Sequence, residues 1–346
     1  MKIKAKSAVL SRLSHDLEIM DLTIPPLKDG QVLVKINYSC ICHSQINEIM
    51  GNRGVDKHLP HCLGHEASGI VVETTKSVRK VKKNDSVVLT WIKGKGADIS
   101  STSYESSKGI INSGAISTFM NYAVVSENRV VKIPKSFPML EASLLGCAIP
   151  TGAGIIFNKI DVAPSDSIII FGCGGIGLSA VMACKAKNLK HIIAVDIHKS
   201  KLDLARDFGA THTLLYSSSL SDQLREIQNS VGFDFAIDAT GNIDAIKMSI
   251  ESLKDSGVFI LAGNPTFDEV IPLNPYDLIK GKSITGTWGG ETNPDKDILK
   301  YISYVRNGDL NLEKFLSKPY ELEDINQAIA DFKNGKILRP IIKMSH

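Results

Sequence analysis

Apolar positions along residues 1 to about 150 fall in short β-branched runs separated by turns. Such runs are Gln31 to Ile36 (QVLVKI), Gly69 to Glu73 (GIVVE), Ser86 to Trp91 (SVVLTW), and Tyr122 to Val125 with Arg129 to Ile133. Short strands bounded by turn residues predict an antiparallel, barrel-like domain. After Pro150 the pattern changes. Continuous apolar runs at Ser167 to Phe171 (SIIIF), His191 to Val195 (HIIAV), Phe233 to Ile237 (FDFAI) and Val258 to Leu261 (VFIL) alternate with helix-like segments. Strand and helix in alternation predict a parallel sheet with helices on both faces. Beyond about residue 291, Lys296 to Arg306 and Glu323 to Lys333 read as helices and Leu338 to Met344 as a closing strand. The polar stretch from Lys93 to Ser113, rich in Gly, Ser and Lys, reads as a surface loop.

Length agrees with two domains, since 346 residues exceed what one core usually supports. With 43% apolar and 22% charged residues the composition is that of a globular protein, and the strand-helix alternation makes the expected class α/β. The net charge of +3 is spread along the chain, which argues against a nucleic-acid partner. No stretch approaches the roughly 20 apolar residues of a membrane-spanning helix, and Lys2, Lys4 and Lys6 interrupt the start where a signal peptide would be apolar. A cytoplasmic location without membrane attachment is therefore expected. Six cysteines (Cys40, Cys42, Cys62, Cys147, Cys173, Cys184) are too sparse for a disulfide scaffold, leaving core filling or metal and catalytic roles.

Phe171 is followed by Gly172-Cys173-Gly174-Gly175-Ile176-Gly177, a G-x-G-x-x-G directly after a strand and at the start of a helix expected over Ile176 to Asn188. That context makes it a dinucleotide fingerprint. Gly172 permits the tight turn, Gly174 the approach of a pyrophosphate, and Gly177 close helix packing. The next strand ends at Asp196, 19 residues after Gly177, where a carboxylate binds ribose hydroxyls. The same carboxylate repels the extra phosphate of NADP, and no Arg directly follows it, so NAD is the expected cofactor. Lys201 stands within reach of the ribose at the start of the following helix, or is simply solvated.

Cys42-His43-Ser44 and Gly64-His65-Glu66 lie 23 residues apart in the barrel-like half, and Cys147 sits near the domain junction. Thiolates and imidazole are good zinc ligands, and three of them leave a fourth tetrahedral position open. Spacing alone leaves the alternatives standing, with small buried cysteines and a core histidine on one side and a metal centre on the other.

These motifs, together with Gly146-Cys147, Thr151-Gly152, the glycine motif and Asp196, resemble in order and near spacing the zinc-dependent alcohol dehydrogenases of the medium-chain dehydrogenase/reductase superfamily, over essentially the whole chain. The resemblance implies a GroES-like barrel catalytic domain (1–149 and 291–346) around a Rossmann, doubly wound parallel-sheet domain (150–290). It implies one catalytic zinc ion on Cys42, His65 and Cys147, with Glu66 behind the metal as an occasional ligand. Ser44 becomes the first proton-relay group, His43 and Arg339 contacts to the cofactor phosphates, and Trp91 a wall of the substrate pocket. Gly175, Ile176 and Thr151 join the cofactor set. The implied activity is hydride transfer between NAD and a small alcohol or aldehyde. A dehydrogenase of polyols, amino alcohols or sugar hydroxyls, and a non-catalytic NAD-binding scaffold, are the alternatives. Relatives form dimers or tetramers, with Ser283 to Trp288 (SITGTW) as a candidate edge.

The chain departs from the family pattern in three respects. Gln45 stands where relatives carry an acid that orients the ligand histidine, and Asn47 stands where a histidine often ends the proton relay. The four cysteines that hold a second, structural zinc in many relatives are absent between Lys93 and Gly114, so one zinc per subunit is expected. Cys40, Cys62 (in a loop), Cys173 and Cys184 are expected to be structural or incidental.

Overall fold

The computed structural model describes residues 4–99, 101–228 and 231–346. It divides into two compact units. One comprises Met1–Cys147, Asn293–Ser303 and Leu312–His346, the other Ala148–Thr292 and Tyr304–Asn311. The junctions expected at 149/150 and 290/291 are thus placed slightly differently, and residues 304–311 join the second unit.

The first unit holds a closed barrel and an associated sheet. The barrel runs in the order Lys4–Leu10, Glu18–Thr23, Thr102–Ser106, Gly109–Ser113 and His61–Cys62. The sheet runs Val130–Lys132, Ser86–Thr90, Glu66–Thr74, Gln31–Cys40, Ile341–Lys343, Tyr320–Glu321, with Tyr122–Ser126 also paired to Gln31–Cys40. The tail returns to this unit because Ile341–Lys343 pairs antiparallel with Tyr38–Cys40. One expectation is corrected here: the stretch Lys93 to Ser113 is not simply a surface loop, since its second half is the hairpin Thr102–Ser106 and Gly109–Ser113. In Thr102–Ser106 the alternate residues Thr102 and Tyr104 are buried while Ser103 and Glu105 face solvent, the pleat of a half-buried strand written in mostly polar residues. Cys62 likewise lies in a short strand, His61–Cys62, and not in a loop.

The first part of that stretch is fastened by side chains. Glu127, 4% exposed, accepts the N–H groups of Arg79 (2.6 Å), Lys80 (3.0 Å) and Ala97 (3.0 Å). Asp295 accepts the Lys95 N–H at 2.6 Å and pairs with Lys80 at 2.5 Å. Ser126 Oγ accepts the Ile99 N–H at 2.7 Å. Burial opposes the Glu127 charge, but the three N–H donors and Lys80 outweigh it and hold the carboxyl below the ordinary glutamate pKa. Its stabilising contribution is therefore complete above the ordinary glutamate range and is lost as pH falls through the depressed folded value. Glu127→Gln is expected to lower stability by about 1–3 kcal/mol and to speed hydrogen exchange at the Arg79, Lys80 and Ala97 amides. In the wild type those amides should lose protection on acidification, and in the variant protection should no longer follow that titration.

The second unit is a six-stranded, all-parallel sheet in the order His212–Leu215, His191–Asp196, Ser167–Phe171, Phe233–Asp238, Leu253–Leu261, Ser283–Gly286. Numbered from Ser167–Phe171, this is the doubly wound order 3-2-1-4-5-6. Ile168 to Phe171 and Ile192 to Asp196 are buried throughout, because helices cover both faces of a parallel sheet. The helix after the glycine motif is Gly175–Ala186, and the later helices are Pro294–Arg306 and Ile325–Lys333. No single helix among the described residues is long and apolar enough to cross a membrane.

Candidate functional site

Strand Gln31–Cys40 ends in the buried Cys40, whose thiol lies against Ser143, and burial pushes that thiol up. Two residues later Cys42 precedes the helix His43–Ile49. His65 enters from a turn that only glycine accommodates. Gly64 has φ +93°, and a Cβ there would lie 2.4 Å from Thr118 Oγ1 and 2.8 Å from the Phe119 backbone nitrogen. Cys147 follows the 3₁₀ turn Ser143–Gly146, and the Thr90 hydroxyl fixes that turn by donating to the Gly146 carbonyl at 2.7 Å.

These three segments meet. One ligand atom each of Cys42, His65 and Cys147 lies within 4.8 Å of the other two, and His65 Nε2 is 3.2 Å from Cys147 Sγ. Donors of a tetrahedral zinc with Zn–S near 2.3 Å and Zn–N near 2.0 Å stand roughly 3.5–3.8 Å apart, so small adjustments of these side chains fit the ion. Hydrogen bonding with Cys147 holds the Cys42 thiol well below its ordinary pKa against the effect of burial, helped by Arg339 and His65. Two buried thiols and an imidazole, one thiol already acidified, are a donor set for a borderline-soft divalent ion.

Around the triad, Gln45 (1% exposed) accepts the Cys42 N–H at 2.8 Å and its amide nitrogen meets His65 Nδ1. Glu66, fully buried, forms an ion pair with Arg339, which is 3% exposed. In this structure Arg339 is thus turned onto Glu66, a partner that neither motif order nor spacing announced. The Ser44 hydroxyl is buried without a hydrogen-bond partner among the described residues. Trp91 presents its ring edge-on to His65, with centroids 6.4 Å apart. His43 is exposed and packs on Phe332 at 4.2 Å. Asn47 is half-buried on the helix His43–Ile49.

Sequence reasoning missed a second cluster. Glu48, Asp56 and His61 also bring ligand atoms within 4.8 Å of one another, with His61 Nε2 2.7 Å from Asp56 Oδ2. They line a cavity of about 890 Å³ that also reaches Gln45 and His65. His61 is the position that carried a signal, being a polar residue in a buried strand. Neither metal-ligand cluster found among the described residues draws on segment 93–114.

In the second unit the glycine motif forms the turn between Ser167–Phe171 and Gly175–Ala186. A Cβ on Gly177 would fall 1.8 Å from the Gly172 carbonyl oxygen, so only glycine lets the helix start this close to the strand. A Cβ on Gly174 would meet nothing within 4 Å, which leaves open space at the helix N-terminus where phosphates bind. Asp196 closes the turn, its Oδ2 accepting the Cys173 N–H at 2.7 Å and its Oδ1 the His198 N–H at 2.9 Å. Lys201 lies in the first turn of helix Lys199–Phe208 and its charge acts on the Cys173 thiol, which places it on the glycine-turn side. Burial raises the Cys173 thiol, and Cys184 is buried within its helix. Thr151 lies buried on the helix Ala148–Gly154.

A carboxylate-tipped dinucleotide turn in one unit and a Cys-His-Cys metal set with buried thiols in the other define the class: an oxidoreductase that uses zinc and a dinucleotide. Comparison with known proteins makes it specific. Residues 28–135 match the alcohol dehydrogenase GroES-like domain and residues 175–304 the zinc-binding dehydrogenase domain. The chain is 30% identical to an S-(hydroxymethyl)glutathione dehydrogenase of Escherichia coli over 99% of this chain and 100% of that one. It superimposes on benzyl alcohol dehydrogenase from Acinetobacter calcoaceticus with TM-score 0.90 at 30% identity, covering 99% and 100% of the two chains. An alcohol dehydrogenase zinc-binding domain protein from Burkholderia ambifaria gives TM-score 0.91 at 30% identity, with 100% of both covered. The chain belongs to the zinc-dependent alcohol dehydrogenase family of the medium-chain dehydrogenases, and so to the zinc oxidoreductases that act on alcohols.

Proposed function

We propose that the protein is an NAD-dependent alcohol dehydrogenase with one zinc ion per subunit, held by Cys42, His65 and Cys147, interconverting a small alcohol and its aldehyde. The observation that carries this is the convergence of those three ligand atoms, two buried thiols and a half-buried imidazole, within 4.8 Å. When bound, zinc supplies a Lewis acid that makes an alcohol hydroxyl easier to deprotonate, and NAD supplies the hydride acceptor. The protein's residues do the rest. Ser44 offers a buried hydroxyl, without a hydrogen-bond partner among the described residues, to take the substrate's hydroxyl proton. Asn47 has no basic atom, so the proton leaves Ser44 through water or the exposed His43. Trp91, standing against His65, narrows the space above the ligands and favours slender substrates. Glu66, locked to Arg339, keeps a negative charge behind the ligand set.

Glu127, Ser126 and Asp295 tie down the segment that holds a second zinc in many relatives, which supports a single zinc. The carboxylate of Asp196 supports NAD over NADP. Asp196→Ala is expected to lower the NAD:NADP ratio of kcat/KM at least about tenfold, because a hydrogen bond to a charged group contributes about 1.5–3 kcal/mol. Steady-state rates with both cofactors read it directly. Ser283–Gly286 is the last strand of its sheet, and Tyr276 (67%), Ile279 (75%) and Trp288 (75%) are exposed near it in sequence. An unpaired edge with apolar surface supports assembly as a homodimer or homotetramer.

The deciding experiment is a panel of alcohols and aldehydes, benzyl alcohol and polyols included, with NAD(H) and NADP(H), and zinc measured on the same sample. Alcohol-dependent NADH formation that stops on zinc removal is expected. Full activity after chelation to zero zinc would overturn the proposal, and a preference for polyols would change the substrate class.

A further inference from the structure

Gln45 has one acceptor oxygen and one NH₂ group. Its oxygen accepts the Cys42 backbone N–H at 2.8 Å. That commitment turns the amide nitrogen toward His65 Nδ1, so the amide donates and Nδ1 accepts. The imidazole proton then sits on Nε2, from which it donates to Cys147 Sγ at 3.2 Å. The result is a closed chain in which each donor finds an acceptor: Cys42 N–H to Gln45, Gln45 to His65, His65 to Cys147. A histidine that ligates zinc through Nε2 needs the reverse arrangement, a bare Nε2 and an Nδ1–H directed at an acceptor. Two donors, the Cys42 N–H and the His65 Nδ1–H, then converge on a single amide oxygen. A carboxylate at the same position would offer one oxygen to each.

We propose that Gln45 is a positioning residue that holds His65 in its Nε2–H tautomer and thereby makes this a weak, readily exchanging zinc site, which a carboxylate at position 45 would convert into a tight one. This deepens the proposed function and rests on its assignment of Cys42, His65 and Cys147 as the zinc ligands. Uptake of the ion requires the His65 proton to move from Nε2 to Nδ1 and the Gln45 amide to turn or share its oxygen. Both changes break the chain of hydrogen bonds present beforehand.

The test compares full-length wild type with Gln45→Glu, each stripped of metal and titrated with zinc against a chromophoric chelator. Gln45→Glu is expected to bind zinc about 10–100-fold more tightly, the usual effect of a partner to a ligand histidine, and to release it more slowly into excess chelator. An added negative charge alone would also attract the ion, so nitrogen-15 imidazole spectra supply the second readout, the His65 signal being assigned by its loss in His65→Asn. Before zinc is added the proton should sit on Nε2 in the wild type and on Nδ1 in Gln45→Glu, and after loading on Nδ1 in both. A metal-stripped wild type with the proton on Nδ1, or zinc affinities within about twofold, would overturn the inference. Folded wild type that binds NAD but takes up no zinc would instead overturn the zinc assignment itself, so the two failures are distinguishable. If Gln45→Glu does not fold, the wild-type spectra with and without zinc decide alone.

Discussion

Cys147→Ala should leave a folded protein that binds NAD but has lost its catalytic metal. Removing a partner one shell outside a metal ligand already weakens binding about 10–100-fold, so deleting the ligand itself is expected to exceed 100-fold. Zinc should fall well below one per subunit after desalting, and NADH formation with alcohols to under about 1% of wild type. NAD affinity, measured by quenching or calorimetry, is expected to stay near wild type because Gly174, Gly177 and Asp196 belong to the other unit. The thiol is only 5% exposed and follows directly on the Gly146 carbonyl that Thr90 holds, so the truncated methyl group fits the same backbone. Normal zinc content in Cys147→Ala would remove Cys147 from the ligand set, and unchanged turnover would remove the metal from the reaction.

Breaking the Glu66–Arg339 pair should produce the largest change in stability. Glu66 is fully buried and Arg339 nearly so. Arg339→Ala leaves a carboxylate with no compensating charge in a site shared with two buried thiols, Cys40 and Cys42, both of which the guanidinium also influences. Removing one member of a buried ion pair typically costs about 3–5 kcal/mol, or roughly 6–20 °C in the unfolding midpoint for a domain of this size. Replacing both members, Glu66→Gln with Arg339→Met, removes the orphaned charge and is expected to recover much of the loss. Thermal unfolding of the single and double variants measures the coupling. Additive losses would show that the two side chains do not stabilise each other.

Much of the second unit was legible because its determinants are local. SIIIF and HIIAV are continuous apolar runs since helices cover both faces of a parallel sheet, and the glycine turn needs only neighbouring residues to form. The strand ends at Phe171 and Asp196 followed directly. The barrel was harder to read. Thr102–Ser106 (TSYES) and Gly109–Ser113 (GIINS) are short and mostly polar, and only pairing with Glu18–Thr23 and with each other makes strands of them. Read by composition they became a loop. Lys4–Leu10 and Glu18–Thr23 escaped notice for a similar reason, since one face of each carries charged and polar residues.

Local sequence was enough for the alternation that makes a Rossmann sheet, for the dinucleotide turn with its carboxylate, and, through resemblance, for naming Cys42, His65 and Cys147 as candidate metal ligands. Only the tertiary structure decided that residues 42, 65 and 147 meet, that the tail returns Arg339 to Glu66, and that Glu127 and Asp295 fasten the segment after Trp91. It also decided that Gln45 faces the Cys42 amide with its oxygen and His65 with its nitrogen. The physical reason is one of range. Periodicity and turn chemistry act between neighbours a few residues apart, whereas a buried donor or charge is satisfied by whatever the folded chain brings within about 3 Å, at a separation that spacing in the sequence does not record.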